Sequence, residues 1–270
     1  SDWNGRQSGT MLYSVSTEDK VVTYTGSSDD YAAVNLVFPG KVKDPTDDTI
    51  YKVKIGDGVF AQTNKISGTL TISSGIETIE EYAFYGCSGL VGTLTISNSV
   101  ASIGNYAFYN CSGLTGTLTI PNSVTSIGTR TFEYCSRLTS VVIPNSVTTI
   151  GLESFCNCSG LTGTLTIPNS VASIGGYAFM RCNFTSIDMR SFPSNGFLDF
   201  DWSYECTNVQ TFYAPSSMEW NDNDDGWDEV GTNNAQFIAS LPSTGNANTW
   251  FSNNVQKSGY GQNWTFSWAS

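Results

Sequence analysis

From Gly68 to Met189 the chain alternates two hydrophobic rhythms. In Thr69-Leu70-Thr71-Ile72 and its copies at Thr93, Thr117 and Thr164, polar and apolar residues alternate one by one. That is the period-2 signature of a strand with one buried face. Pro121, Pro144 and Pro168 follow three of these segments and end them, because proline cannot donate to a ladder. The chain then reads V-x-x-I-G-x-x-A-F-x-x-C-S-x-L, with apolar side chains every three or four residues. This spacing predicts a turn of 3₁₀ or short α-helix returning along the other side. Taking the last residue of each strand segment as a marker gives Ile72, Ile96, Ile120, Ile143, Ile167, Met189 and Ala214, separated by 24, 24, 23, 24, 22 and 25 residues. Length variation falls at the Leu-Thr-Gly-Thr junction, since Leu138-Thr139-Ser140 lacks the glycine that follows Thr115.

A unit of this size cannot bury its apolar face alone, so the repeats must stack. Stacking predicts a spine of Phe60, Phe84, Phe108, Phe132, Phe155 and Phe179, with Ile55, Ile79, Ile103, Ile127, Ile150 and Ile174 beside it. Met11–Val15 and Val21–Tyr24, separated by polar residues, predict a β-hairpin over the first repeat. Val34, Leu36 and Phe38 read as the strand of an imperfect first unit.

The string L-x-I-P-x-x-V-x-x-I-G-x-x-A-F-x-x-C-x-x-L resembles the leucine-rich repeat of the BspA-like family of bacterial surface proteins, the Treponema type. Gly68 to Met189 carries it nearly in full, and weaker units extend it to roughly residues 51–215. The resemblance implies an α/β repeat solenoid: a right-handed leucine-rich-repeat coil with short parallel strands on a concave face, short helical segments opposite, and terminal caps. It also implies an exported chain used for attachment or interaction. The organisation expected is an N-terminal β cap with the imperfect first repeat over 1–50, repeats over 51–215, and an aromatic-rich cap or tail over 216–270.

Composition narrows the chemistry. The chain has no histidine, which removes Ser-His-Asp and Cys-His nucleophile pairs and histidine-ligated metals. A net charge of −12 repels phosphate backbones and anionic lipid heads, so nucleic acid is not an expected partner. No apolar run approaches the roughly 20 residues that span a bilayer, and the sequence begins without a leader. Cys87, Cys111, Cys135, Cys158, Cys182 and Cys206 recur in phase and read as a stack of buried reduced thiols. A linear stack does not converge on a metal, and no cofactor is implied. Cys156 is out of phase.

The outward residues of the strand segments form two columns. One runs Thr69, Thr93, Thr117, Ser140, Thr164, Ser186, Thr211, and the other Thr71, Thr95, Thr119, Val142, Thr166, Asp188, Tyr213. Threonine suits a half-exposed strand whatever its role, and a hydroxyl-lined surface also offers multiple weak contacts to an extracellular protein or glycan. Regular T-x-T arrays resemble ice-binding faces, but Val142, Asp188 and Tyr213 interrupt this one. Acidic residues are too sparse in the repeats to give a glycosidase its facing pair, so a non-catalytic binding role is expected. Asp199, Asp201 and Glu205 lie beside Phe200, Trp202 and Tyr204, which makes Trp202 and Tyr204 candidate ligand contacts.

Six of seven tryptophans lie beyond residue 200, where they either cover the last repeat or form a carbohydrate-binding surface. Asn221–Glu229 is oxygen-rich but lacks the first and last ligands of a calcium loop, and reads as a solvated turn. Leu241-Pro242-Ser243-Thr244-Gly245 matches a sortase string without the apolar span and basic tail of a sorting signal.

Overall fold

The computed structural model describes residues 11–16, 21–27, 33–38, 42–43, 49–62, 66–193, 197–198, 202–209, 211–214, 236–239 and 265–268. The Asn221–Glu229 loop, the Leu241–Gly245 string, Asp199, Phe200, Asp201, and Trp220, Trp227, Trp250 and Trp264 lie outside these residues.

Each repeat contributes two strands, and the strands of successive repeats pair in parallel. The Thr-x-Thr strands form a long ladder in three sections. Ala33–Phe38 pairs with Ile66–Ile72 and then Thr95–Ile96, and Gly116–Thr119 pairs with Leu138–Val142. Thr164–Thr166, Ser186–Asp188, Thr211–Ala214, Gln236–Ala239 and Thr265–Trp268 make the third section. The ladder thus continues past residue 215, into the region expected to be a cap or tail. The hairpin expected at the N-terminus is present as Met11–Ser16 against Val21–Ser27, and its second strand pairs in parallel with Ile50–Ile55.

The second rhythm folds differently from expectation. The V-x-x-I stretch is a short strand, not part of a helix: Ile76–Ile79 pairs with Ser102–Ile103, and Ser126–Ile127 pairs with Thr149–Ile150 and that in turn with Ser173–Ile174. No helix occurs among the described residues. The G-x-x-A-F-x-x-C stretch is a chain of turns in which two positions per coil have positive φ. Tyr82, Tyr106, Arg130, Glu153 and Tyr177 hold the first, and Asn110, Tyr134, Asn157 and Arg181 the second, all between 51° and 60°. A left-handed residue every fourth position turns alternate N–H groups outward to the next coil. Tyr106, Phe108 and Asn110 donate to the carbonyls of Thr129, Thr131 and Glu133 at 3.0, 2.9 and 2.7 Å. A helix would satisfy those donors within its own coil and leave adjacent coils unbonded. The left-handed conformation costs about 1–2 kcal/mol per side-chain-bearing residue, and inter-coil hydrogen bonds of about 1 kcal/mol each offset it.

The core runs the length of the stack. Phe60, Phe84, Phe108, Phe132, Phe155 and Phe179 are all buried, and each ring lies face to face with the next at 5.2–5.4 Å. The in-phase cysteines are buried free thiols, as the sequence implies. Each donates to the carbonyl of a phenylalanine one coil back, for example Cys135 Sγ to Phe108 O at 3.2 Å. Burial pushes the Cys135 and Cys206 thiols up to about 12, out of reach of ionisation at ordinary pH.

Candidate functional site

The outward columns exist as strand alternation requires. Thr117 and Thr119 flank buried Leu118, and Thr164 and Thr166 flank buried Leu165. Register aligns Thr71 with Thr95, Thr119 with Val142, Thr166 with Asp188, and Asp188 with Tyr213. Thr95, Thr119, Val142 and Thr166 are exposed, while Thr71, Asp188 and Tyr213 are half-buried. Thr117 and Ser140 hydroxyls bond across the strands at 2.7 Å.

The columns are not one flat surface. The ladder is interrupted once after Thr95–Ile96 and again between Leu138–Val142 and Thr164–Thr166. A shallow depression of about 640 Å³ lies at the second break, lined by Ser140, Val142, Asn145, Thr164, Thr166 and Asn169 among others. This second interruption follows the strand whose junction lacks a glycine, where a register shift sets Thr117 against Ser140 rather than Thr139.

Asp188 is held by a residue that strand alternation does not single out. Arg190 donates through Nε at 3.0 Å and through its terminal nitrogen at 2.6 Å, and its guanidinium carbon lies 4.7 Å from the Tyr213 ring centre. The Arg190 hydrogen bonds hold the Asp188 carboxyl below its ordinary range. Asp188, Arg190 and Tyr213 therefore form one charged, aromatic group across two neighbouring coils.

The other predicted contacts separate. Trp202 is fully buried, with its ring edge-on to Phe179 at 6.1 Å, so it extends the core rather than presenting a stacking face. Tyr204 is half-buried with its ring 6.3 Å from Tyr177. Glu205 pairs with Arg181 of the preceding coil.

A polar cluster that sequence reasoning passed over sits on the turn segments. One oxygen each of Glu133 and Glu153 and the sulfur of Cys156 lie within 4.8 Å of one another. Arg130 supplies the local positive charge, 2.8 Å from a Glu153 oxygen and 3.4 Å from Glu133 Oε2. Its signal in the sequence is the loss of the repeat: Glu133 and Cys156 stand where two earlier coils have Tyr85 and Tyr109. Burial pushes the Glu133 carboxyl up to about 7, Arg130 draws it down and Glu153 pushes it up. Because the folded value exceeds the unfolded one of about 4.3, the folded state holds more protons between about pH 4.5 and 7. Stability falls as pH rises through that window and levels off above it. Glu133→Gln should flatten this dependence and be more stable than the parent by roughly 2 kcal/mol at pH 8, after allowance for screening. Urea unfolding of both chains at pH 5 and pH 8 measures it; equal pH dependence would show that Glu133 stays ionised.

Comparison with known families decides the kinship. A family model described as the BspA type leucine rich repeat region matches in six copies, over residues 53–185 and 125–223. The chain belongs to the BspA-type leucine-rich-repeat family. No curated protein matches the sequence. Among solved structures, a leucine-rich repeat protein from Bacteroides ovatus ATCC 8483 is similar at 22% identity, covering 85% of this chain and 69% of that one, with a TM-score of 0.47. A leucine rich cell surface protein from Faecalibacterium prausnitzii A2-165 is similar at 18% identity, over 97% and 95% of the two chains, with a TM-score of 0.39. The leucine-rich repeat protein of T. pallidum is similar at 18% identity, over 96% and 97%, with a TM-score of 0.42. For a BspA-type repeat, the conserved scaffold leaves function to the exposed positions of each coil.

Proposed function

We propose that this BspA-type chain is an exported, non-catalytic module that binds an extracellular protein at the cell surface through its Thr-x-Thr face. The observation that carries the reading is the depression between Ser140–Asn145 and Thr164–Asn169, set within in-register columns of exposed hydroxyls. Protein interfaces combine a more apolar centre with a polar rim. Here Val142, 49% exposed, supplies apolar surface beside Thr119 and Thr166. Arg190 and Tyr213, held together with Asp188, supply charge and an aromatic edge, and arginine and tyrosine are residue types enriched among those that dominate binding energy at interfaces. Thr71 and Thr95 extend the surface toward the N-terminal coils. The carbohydrate-binding alternative rests on tail tryptophans, and no described contact favours it.

The test is binding of the intact chain to arrays of extracellular-matrix proteins and of glycans, beside a Thr119→Lys/Thr166→Lys variant. Both side chains are exposed, so the variant should fold as the parent does. Protein hits that weaken at least tenfold in the variant support the reading. Protein hits indifferent to the variant, or glycan hits alone, overturn it.

A further inference from the structure

The turn segments of two adjacent coils carry a tyrosine ladder. Tyr82 and Tyr106 stack at 4.9 Å with their planes 13° apart, and Tyr85 and Tyr109 stack at 4.6 Å and 4°. The two pairs lean on each other, at 5.7 Å between Tyr82 and Tyr85 and 6.0 Å between Tyr106 and Tyr109. The inner faces of these rings cover one another, so new contacts are possible at the ladder's ends and edges.

The two ends of the Tyr82–Tyr106 pair differ. In the coil after Tyr106 the same position is Arg130, whose guanidinium carbon lies 5.8 Å from the Tyr106 ring centre and is tethered by Glu153. In the coil before Tyr82 the same position is Gly58, with φ of +58°. Among the described residues, a Cβ built there would meet only the Cβ of Ala61, at 3.9 Å, so none of them fills the position next to Tyr82. Tyr82 itself is 38% exposed. Carboxylates flank this open end. Glu80 is paired with Lys54, whereas Asp57 and Glu81 carry no ion pair among the described residues, and Glu81 only accepts from Asn105 at 2.7 Å. Desolvation, then Tyr106, Glu81 and Asp57, raise the Tyr82 phenol above its ordinary value, which fits carboxylates close to the ring.

We propose that the open Tyr82 end of the ladder, with Asp57 and Glu81, is a docking point for an arginine or lysine side chain of a basic protein segment, taking the role that Arg130 plays at the other end. The cation would lie over a ring face and beside two carboxylates that no described residue pairs, where both attractions add. This surface is separate from the Thr-x-Thr face, and its test does not depend on that reading.

The experiment titrates the intact chain with a hexa-arginine peptide by calorimetry at low and physiological salt. Tyr82→Asn removes the ring and suits the backbone, since Asn110 and Asn157 already hold positive φ in the neighbouring column. Circular dichroism checks its fold. The expected results are about fivefold weaker binding in Tyr82→Asn, retention in Tyr82→Phe, and loss of affinity at low salt in Asp57→Asn/Glu81→Gln. No binding by the parent chain overturns the proposal. So does equal affinity of Tyr82→Asn, which would mean that the peptide follows only the overall charge of −12. Should Tyr82→Asn not fold, unchanged affinity in the Asp57→Asn/Glu81→Gln chain is the overturning result.

Discussion

Truncating Phe132 to alanine is expected to lower the unfolding free energy by about 3–5 kcal/mol. The ring is fully buried at the middle of the stack, with Phe108 on one face at 5.4 Å and Phe155 on the other at 5.4 Å. Its removal opens a cavity that neither neighbour can fill, because the inter-coil hydrogen bonds of Phe132 N to Ser154 O and Phe108 N to Thr131 O hold the coils at fixed spacing. Two stacked aromatic contacts, about 0.5–1.5 kcal/mol each, are lost as well. A solenoid's stability is close to a sum over coils and their interfaces, so the defect also weakens coupling between the two halves. Urea unfolding followed by circular dichroism should show a lower midpoint, and a single transition in the parent should broaden or split. A loss below about 1 kcal/mol would mean that the coils can collapse onto the gap.

Trp202→Ala is expected to cost a similar amount, about 3–5 kcal/mol, but confined to the C-terminal coils. In the preceding coil the pair is Ala178-Phe179; here it is Trp202-Ser203, so the large and small side chains have exchanged places. Trp202 fills, edge-on to Phe179, space that a phenylalanine occupies in the other coils. Ser203 is buried with its hydroxyl lacking a hydrogen-bond partner among the described residues. The double change Trp202→Ala/Ser203→Phe restores the repeat's own order, and should recover most of the loss while removing the orphan hydroxyl. Hydrogen exchange read coil by coil measures both effects. If the double variant is no more stable than Trp202→Ala, the last coil is not built on the geometry of the inner ones.

Much of the fold was legible before any coordinates. A period of 22–25 residues, the Phe and Ile columns and the in-phase thiols follow from stacking, because a residue repeated in phase must meet its own copy one coil away. The alternation in Thr-Leu-Thr-Ile likewise settles which side chains point outward. The turn region is not legible in the same way. Its three-or-four spacing matches a helix, but Ser126–Ile127 and its equivalents are strands, and residues such as Arg130 and Tyr134 take positive φ to bond the next coil. Local spacing cannot register a hydrogen-bond partner supplied by another coil. Candidate sites divide in the same way. The outward threonines could be listed from the sequence, whereas the burial of Trp202 depended on an exchange with Ser203 that only packing reveals.

The sequence by itself therefore determined what every coil shares: its length, its inward residues and its exposed threonines, all consequences of repetition. Tertiary structure decided what distinguishes one coil from the next. It places a break in the ladder beside Val142, draws Arg190 onto Asp188 and Tyr213, and packs Arg130 among Glu133, Glu153 and Tyr106. Each group draws on more than one coil: Tyr213 lies one coil beyond Asp188 and Arg190, and Tyr106 and Glu153 lie on the coils either side of Arg130, Glu153 being 23 residues away. Their distances and burial are set only when the coils stack, and that is where charge and aromatic surface acquire the geometry for binding.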